Sequence, residues 1–385
     1  MEKIKKQEKD YLIELLKSVL FSSIPPEKPK EIEFKSIYKL AKKHFLANMV
    51  YYAISELKEK PTQELLNIWK EEYLIGKMRN TVQLSEFKMI ELKFEEFQIK
   101  NVPLKGFDLK KVYPSLDMRQ MSDLDILIPF EKREEVKSIL ETLGYETIEF
   151  GKGKDDVYYK KPIMNIEVHN NLFDKSDEKM YKYFSKLSSM EKAEKRSGYR
   201  YEFTKEDTLI YGIVHLVKHF KIAGVGIRHI LDWWLYSEKN RESLDWEYIN
   251  NTLKGLEIFQ FYNNIMFLGD VWFKGKKSNK VIEELEEYII DSGIYGKIEN
   301  RKTNIVLESK RKTIIKLIFP QYNVMCERYP KLLKNKYLLP YYYLVRILEI
   351  IFYRRAGKAE LLKDIISEKQ ENIDKRKKLY KDIGL

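Results

Sequence analysis

The sequence predicts an α+β protein: a small mixed β-sheet core embedded in a largely helical chain. Gly and Pro are scarce, at 16 and 11 of 385 residues, which favours long helices over a turn-rich all-β chain. Apolar residues recur at helical spacing through the first hundred residues and again beyond residue 203. Between these regions the pattern changes to short β-branched and aromatic runs that alternate with two helices and end as antiparallel strands, which argues against a long doubly wound sheet. The expected regions are an N-terminal helical region 1–100, an α/β core 101–203 and a C-terminal helical region 204–385.

Composition bounds the class. A chain of 385 residues exceeds the usual single-domain size. The 44% apolar share supports a core, and the 34% charged share, mixed in sign, is that of a globular protein and not a disordered one. Lys and Arg number 71 against 59 Asp and Glu, a net charge of +12. A basic surface suits a nucleotide, a nucleic acid or an anionic lipid surface; charges interspersed in this way equally suit a solvated exterior. The single cysteine, Cys326, excludes an internal disulfide and a Cys-based zinc ribbon. The first apolar stretch is broken by Glu14 and Lys17, as in an amphipathic helix and unlike a signal peptide. The most apolar late stretch, 338–353, contains Arg346 and Glu349 and is too short for a membrane span. A cytoplasmic location is expected by elimination.

Each element has a local reason. Leu12, Leu15, Leu16, Val19 and Leu20 form a helical stripe that stops before Ser22, Ser23 and Pro25-Pro26. Residues 37–57 continue as helix. Residues 62–100 hold no internal Pro or paired Gly and read as one long helix or two in tandem. Val102-Pro103-Leu104 is a short strand, after which Gly106 opens a helix through Tyr113. Residues 124–128 form a β-branched run ended by Pro129, and 131–143 an amphipathic helix stopped by Gly144. Strands are expected at 145–150, 157–160 and 164–169, the last two as a hairpin around Pro162, with a further strand at 199–203. Thr204 and Asp207 resemble a capping box before a helix at 205–220. Helices follow at 227–236, 246–253 and 258–273, then more to the C-terminus, punctuated by Pro320, Pro330 and Pro340. The last 32 residues carry ten basic and six acidic side chains, a third of the net charge.

The chemistry concentrates in Ser122-Asp123-Leu124-Asp125-Ile126. Residues two apart on a strand share a face, so Asp123 and Asp125 point together while Leu124 and Ile126 are buried. Carboxylates about 7 Å apart at Cβ can converge on a divalent cation; without one they repel and one pKa rises. Glu167 repeats the pattern in Asn165-Ile166-Glu167-Val168-His169 and shares its face with His169. If the two strands are neighbours, three carboxylates surround one or two Mg²⁺ ions, and Glu167 can also take a proton from an attacking hydroxyl. Lys105 and Gly106 form an anion-binding turn at a helix start, and Arg119 offers a fork of donors for a second phosphate or for the Asp pair.

The segment LKGFDLKKVYPSLDMRQMSDLDILI, followed by LGY and IEVH, resembles an uncharacterised family of bacterial nucleotidyltransferases within the DNA polymerase β-like superfamily. The likeness continues in FTKEDTLIYGIVHLVKHF and IRHILDWWLY, and spans roughly residues 100–275, more weakly to 350. The resemblance implies transfer of a nucleoside monophosphate from an NTP such as ATP to an acceptor, with release of pyrophosphate and use of Mg²⁺. It makes Asp123, Asp125 and Glu167 the catalytic metal ligands. Lys105, Gly106, Arg119 and His169 become nucleotide-binding residues. Phe107 stands where the family pattern has a second small residue, and the Gly106-to-Asp123 spacing of 17 residues exceeds the common one. The acceptor is left open as a small molecule, a protein or tRNA, and a non-catalytic nucleotide- or RNA-binding protein on the same fold is the alternative.

Other features have plainer readings beside functional ones. His215 and His219, four apart in HLVKH, have zinc-ligand spacing, with His229 and Asp232 near in sequence, but Leu216 replaces the glutamate of HExxH. The helix is expected to pack on the catalytic region. Arg228 and Asp232 are spaced for a local ion pair. Trp233, Trp234 and the tyrosines 341–343 are expected as packing residues. His169 is either a positioning partner of the acids or a satisfied buried histidine.

Overall fold

In a computed structural model, the protein is described for residues 2–151, 155–173, 177–307, 309–352 and 358–385. The start of the basic tail, 353–357, lies outside the described residues. The chain divides into two compact units. The first comprises Met1–Val214, Arg228–Leu256 and Ile265–Lys276; the second comprises His215–Ile227, Glu257–Asn264 and Lys277–Leu385.

The first unit begins with four helices: α1 (Glu2–Leu20), α2 (Phe34–Lys43), α3 (Ala47–Ile54) and α4 (Gln63–Glu96). The stripe Leu12, Leu15, Leu16 and Val19 is buried, as its spacing predicts. The expected helix at 37–57 is two helices, because Phe45 takes a left-handed φ of 60° between them, a break that no Gly or Pro announces. The 62–100 pattern is one 34-residue helix capped by Thr62.

The sheet follows. Its strands are β1 (Val102–Pro103), β2 (Leu124–Leu127), β3 (Glu146–Glu149), β4 (Asp155–Lys160) and β5 (Met164–His169), in the order β1-β2-β5-β4-β3. β2 and β5 are parallel; the other pairs are antiparallel. The architecture is therefore α+β with a small mixed sheet, as expected. Between β1 and β2, the helix that Gly106 opens is a four-residue turn, α5 (Gly106–Leu109), continued as a 3-10 turn to Val112. α6 (Arg133–Thr142) links β2 to β3. One face of the sheet, with Leu124, Ile126, Tyr158, Ile166 and Val168, packs on Phe87, Ile90 and Phe94 of α4 and on Val136, Ile139 and Leu140 of α6. Each such side chain contributes about 1.5–3 kcal/mol on full burial, so alternate positions along β2 and β5 are locked inward and their acidic neighbours are turned outward.

Beyond the sheet lie α7 (Glu178–Tyr183), α8 (Ser185–Ser188) and a hairpin of β6 (Glu194–Ser197) and β7 (Arg200–Glu202). β6 was not expected: it is an exposed polar strand with no apolar alternation. The Asp207 amide donates to Thr204 Oγ1 at 3.0 Å, so the cap at the start of α9 (Lys205–Ile222) is real. α10 (Ile227–Lys239), α11 (Trp246–Gly255) and α12 (Phe259–Lys274) match the expected helices to within three residues. Trp233 and Trp234 are buried, and α9 approaches α10 so closely that a Cβ on Gly212 would lie 1.9 Å from the Trp233 ring.

In the second unit, α13 (Lys280–Ser292), α14 (Ile298–Ile305), α19 (Lys358–Ser367) and α20 (Gln370–Ile383) pack with one another, and Phe220 meets the rings of Phe261, Tyr288 and Tyr380. α15 (Lys310–Ile318), α16 (Tyr322–Arg328), α17 (Lys331–Lys334) and α18 (Leu339–Phe352) complete it, with a small core of Met325, Cys326 and Leu332. Among the described residues, no helix is long and apolar enough to cross a membrane.

Candidate active site

The acids of β2 and β5 meet because the two strands are neighbours. Their parallel register sets Asp125 opposite Glu167 and Leu127 opposite His169. Carboxylate oxygens of Asp125 and Glu167 and a nitrogen of His169 lie within 4.8 Å of one another, and no other such group of three occurs among the described residues. Asp123 stands just before β2, outside that tightest group.

His169 is buried and holds two carboxylates. Its Nε2 is 2.8 Å from Asp125 Oδ1 and 4.0 Å from Glu167 Oε2, and its Nδ1 is 2.6 Å from Asp155 Oδ1. Carboxylate oxygens beside both ring nitrogens favour the protonated ring. Burial alone would lower its pKa; the bonds to Asp125 and Asp155 outweigh burial and raise it.

Lys105 supplies the second built-in cation. Its Nζ lies 3.5 Å from Asp125 Oδ2 and 5.7 Å from the centre of the Tyr211 ring on α9. Burial opposes its charge, but Asp125, Tyr211, Asp123 and Glu167 together raise its pKa. Burial would also raise the Asp125 pKa, yet Lys105 and His169 hold it well below the usual carboxylate range. The other acids go the opposite way. Asp123 is raised by burial and then by Asp125. Glu167 is pushed up to about 7 by burial and the charges of Asp125 and Asp123. Lys105 and His169 thus neutralise part of a four-carboxylate cluster, and the raised Glu167 is the mark of the uncompensated remainder.

Arg119 is turned elsewhere. It points neither at the Asp pair nor into open space: Nε and Nη2 clamp the two oxygens of Asp232 on α10 at 2.7 and 2.8 Å. Nη1 donates to the Gly106 carbonyl at 3.2 Å. Tyr113 donates to the same Asp232 at 2.7 Å, and all three residues are buried. The expected Arg228–Asp232 pair does not form. Asp232 is held by the planar fork of Arg119, and Arg228 gives Nη1 to the Gln120 carbonyl at 2.6 Å. Gly106 is required by packing as well: a Cβ there would lie 2.7 Å from Met121 Sδ and 3.0 Å from Arg119 Nη1. His215 and His219 do face each other, Nε2 to Nε2 at 2.6 Å, but Asp232, their suggested zinc partner, is committed to Arg119.

A protein-family model described as an uncharacterised nucleotidyltransferase matches residues 30–274. The chain belongs to this nucleotidyltransferase family. Comparisons with curated proteins and with solved structures found no match. The matched span takes in every strand and every member of the carboxylate cluster, and it begins some seventy residues before the expected start of the resemblance at about residue 100, within the N-terminal helices.

Two neighbours of the carboxylate cluster, Asp155 and Tyr211, escaped sequence reasoning, and a third, Asp232, was given other partners. Asp155 was excluded by starting β4 at Val157; the hairpin register that pairs Lys160 with Met164 also pairs Asp155 with His169. Tyr211 carries no motif and is placed by the packing of α9. Asp232 was read against Arg228 and against the nearby histidines, whereas its partner Arg119 lies 113 residues away in sequence.

Proposed function

We propose that this nucleotidyltransferase moves a nucleoside monophosphate from an NTP to an acceptor hydroxyl, at the face of β2 and β5 that carries Asp123, Asp125 and Glu167. The observation that carries the reading is the parallel register that sets Asp125 beside Glu167, with Glu167 pushed up to about 7 by its neighbours. The donor set fits a hard divalent cation such as Mg²⁺. Asp123, Asp125 and Glu167 offer hard carboxylate oxygens, and His169 lies within reach of two of them. Asp123, Asp125 and Glu167 would hold one or two such ions. A bound ion supplies charge stabilisation to the transferring phosphoryl group.

The protein's own residues do the rest. Lys105, cationic and at the rim of the acids, attracts NTP phosphate oxygens. Arg119 serves the nucleotide indirectly: by gripping the Gly106 carbonyl and Asp232 it fixes the turn that presents Lys105. His169 fixes the rotamer of Asp125, and Asp155 fixes His169. Glu167, ionised once the cation is bound, accepts the proton of the acceptor hydroxyl. The hydroxyl oxygen then bonds to the α-phosphorus, the bond from that phosphorus to the oxygen bridging to the β-phosphorus breaks, and pyrophosphate leaves with that oxygen and its electron pair.

Incubation with each α-labelled NTP, Mg²⁺ and cell extract should label an acceptor from at least one NTP, and Asp125→Asn should abolish labelling while the far-UV spectrum is kept. Pyrophosphate release retained by Asp125→Asn would overturn the assignment. NTP binding that ignores Mg²⁺, with no turnover, would leave a nucleotide-binding protein on a transferase fold. The net charge of +12 makes tRNA an acceptor to test first, since its binding should weaken steeply with salt.

A further inference from the structure

The second unit carries a surface that the transfer chemistry does not use. Residues 310–352 hold nine Lys and Arg against two Glu, so 43 residues supply more than half of the net charge. The same segment exposes large apolar side chains: Leu333 is 72% exposed, Tyr337 83% and Leu344 63%. These are not scattered. A 3-10 turn at Lys336–Leu338 runs directly into α18 through Leu339 in helical conformation. Tyr337, Tyr341, Leu344 and Leu348 therefore follow at spacings of four, three and four, one continuous helical stripe. All four are exposed.

The inner side of the segment is already satisfied. Met325, Cys326 and Leu332 form the small core, and Leu338, Leu339, Tyr342 and Tyr343 pack against it. Tyr342 stacks on Tyr329 with ring centres 4.5 Å apart. Tyr341 thus departs from the packing role expected of the 341–343 triplet. Glu349 is paired within the segment with Arg328 and accepts a hydrogen bond from the Tyr329 hydroxyl. Lys331, Lys334 and Lys336 are exposed beside the stripe.

We propose that this outer face of α17 and α18 docks peripherally on anionic lipid bilayers. Exposed lysines flanking an aliphatic and tyrosine stripe match the two demands of the bilayer interface, negative headgroups above and hydrocarbon below. Tyrosine is favoured at that depth. A single-stranded RNA would use the tyrosines for stacking and the lysines for phosphate, but would leave Leu333, Leu344 and Leu348 in water, so the aliphatic share decides for lipid. α18, at 14 residues, lies on such a surface without crossing it.

The test is flotation of the full chain with phosphatidylcholine vesicles and with vesicles containing one-fifth phosphatidylserine, at low and high salt. The protein should float with the anionic vesicles only, and less so at high salt. An interfacial lysine contributes about fivefold in partitioning, so Lys331→Gln/Lys334→Gln/Lys336→Gln should weaken binding about a hundredfold. Leu344→Ser/Leu348→Ser should weaken it at least about tenfold. Both variants alter exposed side chains, and circular dichroism verifies their folding. The proposal is overturned if the wild type does not float or binds both vesicles equally, or if either variant binds unchanged. It is equally overturned if the stripe supports only a self-association that Leu344→Ser/Leu348→Ser abolishes, or if polyuridylate binds where vesicles do not.

Discussion

Asp232→Ala tests the least visible part of the site, the clamp that anchors the Lys105-Gly106 turn. The side chains of Arg119 and Asp232 are 8% and 2% exposed. Their two bonds, at 2.7 and 2.8 Å, are bidentate, and the Tyr113 hydroxyl donates to the same carboxylate. Removing one partner of a buried pair leaves the other charged and unsolvated, which costs about 3–5 kcal/mol. The orphaned Tyr113 hydroxyl adds about 1 kcal/mol or more. All five tryptophans (69, 233, 234, 246 and 272) lie in the first unit, so tryptophan fluorescence during urea unfolding reports on that unit alone. With a urea slope of about 3 kcal/mol per M, the midpoint should fall by more than about 1 M. Arg119→Met/Asp232→Ala removes both charges and should recover most of the loss, because an apolar replacement of a buried pair is often neutral. A shift below about 0.3 M for Asp232→Ala, or a double variant that loses the sum of the two single ones, would refute the view that this clamp is a buried, mutually dependent unit.

Glu167, raised to about 7, is largely protonated at pH 6 and largely ionised at pH 8. Mg²⁺ binding should therefore release close to one proton at pH 6 and little at pH 8. Calorimetry in buffers of differing ionisation enthalpy reads the number, and Glu167→Gln should remove the pH dependence. In the absence of Mg²⁺ the same group makes the folded state bind the extra proton, so its contribution to stability is present below about pH 4.5 and is lost as pH rises through 7. Lys110 is buried and donates to Asn80 Oδ1 and Gln83 Oε1 at 2.8 and 3.3 Å. Burial and then Arg119 lower its pKa to about 7. Here the unfolded chain holds the extra proton between about pH 7 and 10.5, so stability should rise with pH over that window, and Lys110→Met should flatten the rise in urea midpoints measured from pH 7 to 9. Gly212→Ala places a methyl 1.9 Å from the Trp233 ring and should cost at least about 1–3 kcal/mol, visible as a lowered thermal midpoint and a shifted tryptophan emission; an unchanged midpoint would mean that α9 and α10 are not so closely packed.

The metal-type cluster was legible because a strand has period two. Alternation of Leu124, Ile126, Ile166 and Val168 with acids fixes which way Asp125 and Glu167 point, and burial of the apolar set against α4 and α6 enforces it. What sequence could not supply was pairing at a distance. Arg228 and Asp232 are four apart on one helix, and that spacing is a fair reason to join them. A local exposed pair is worth only a few tenths of a kcal/mol, however, and a buried carboxylate is driven to the partner that desolvates with it and satisfies both oxygens. Arg119, 113 residues earlier, meets that demand, while Arg228 donates to the Gln120 carbonyl. The same logic explains Asp155. Alone it reads as one acid in a polar run, but the β4–β5 register brings it beside Nδ1 of His169, whose pKa it helps to raise. The acids of the cluster were thus readable from strand periodicity, while their neighbours Asp155, Asp232 and Tyr211 became readable only once the fold had chosen their partners.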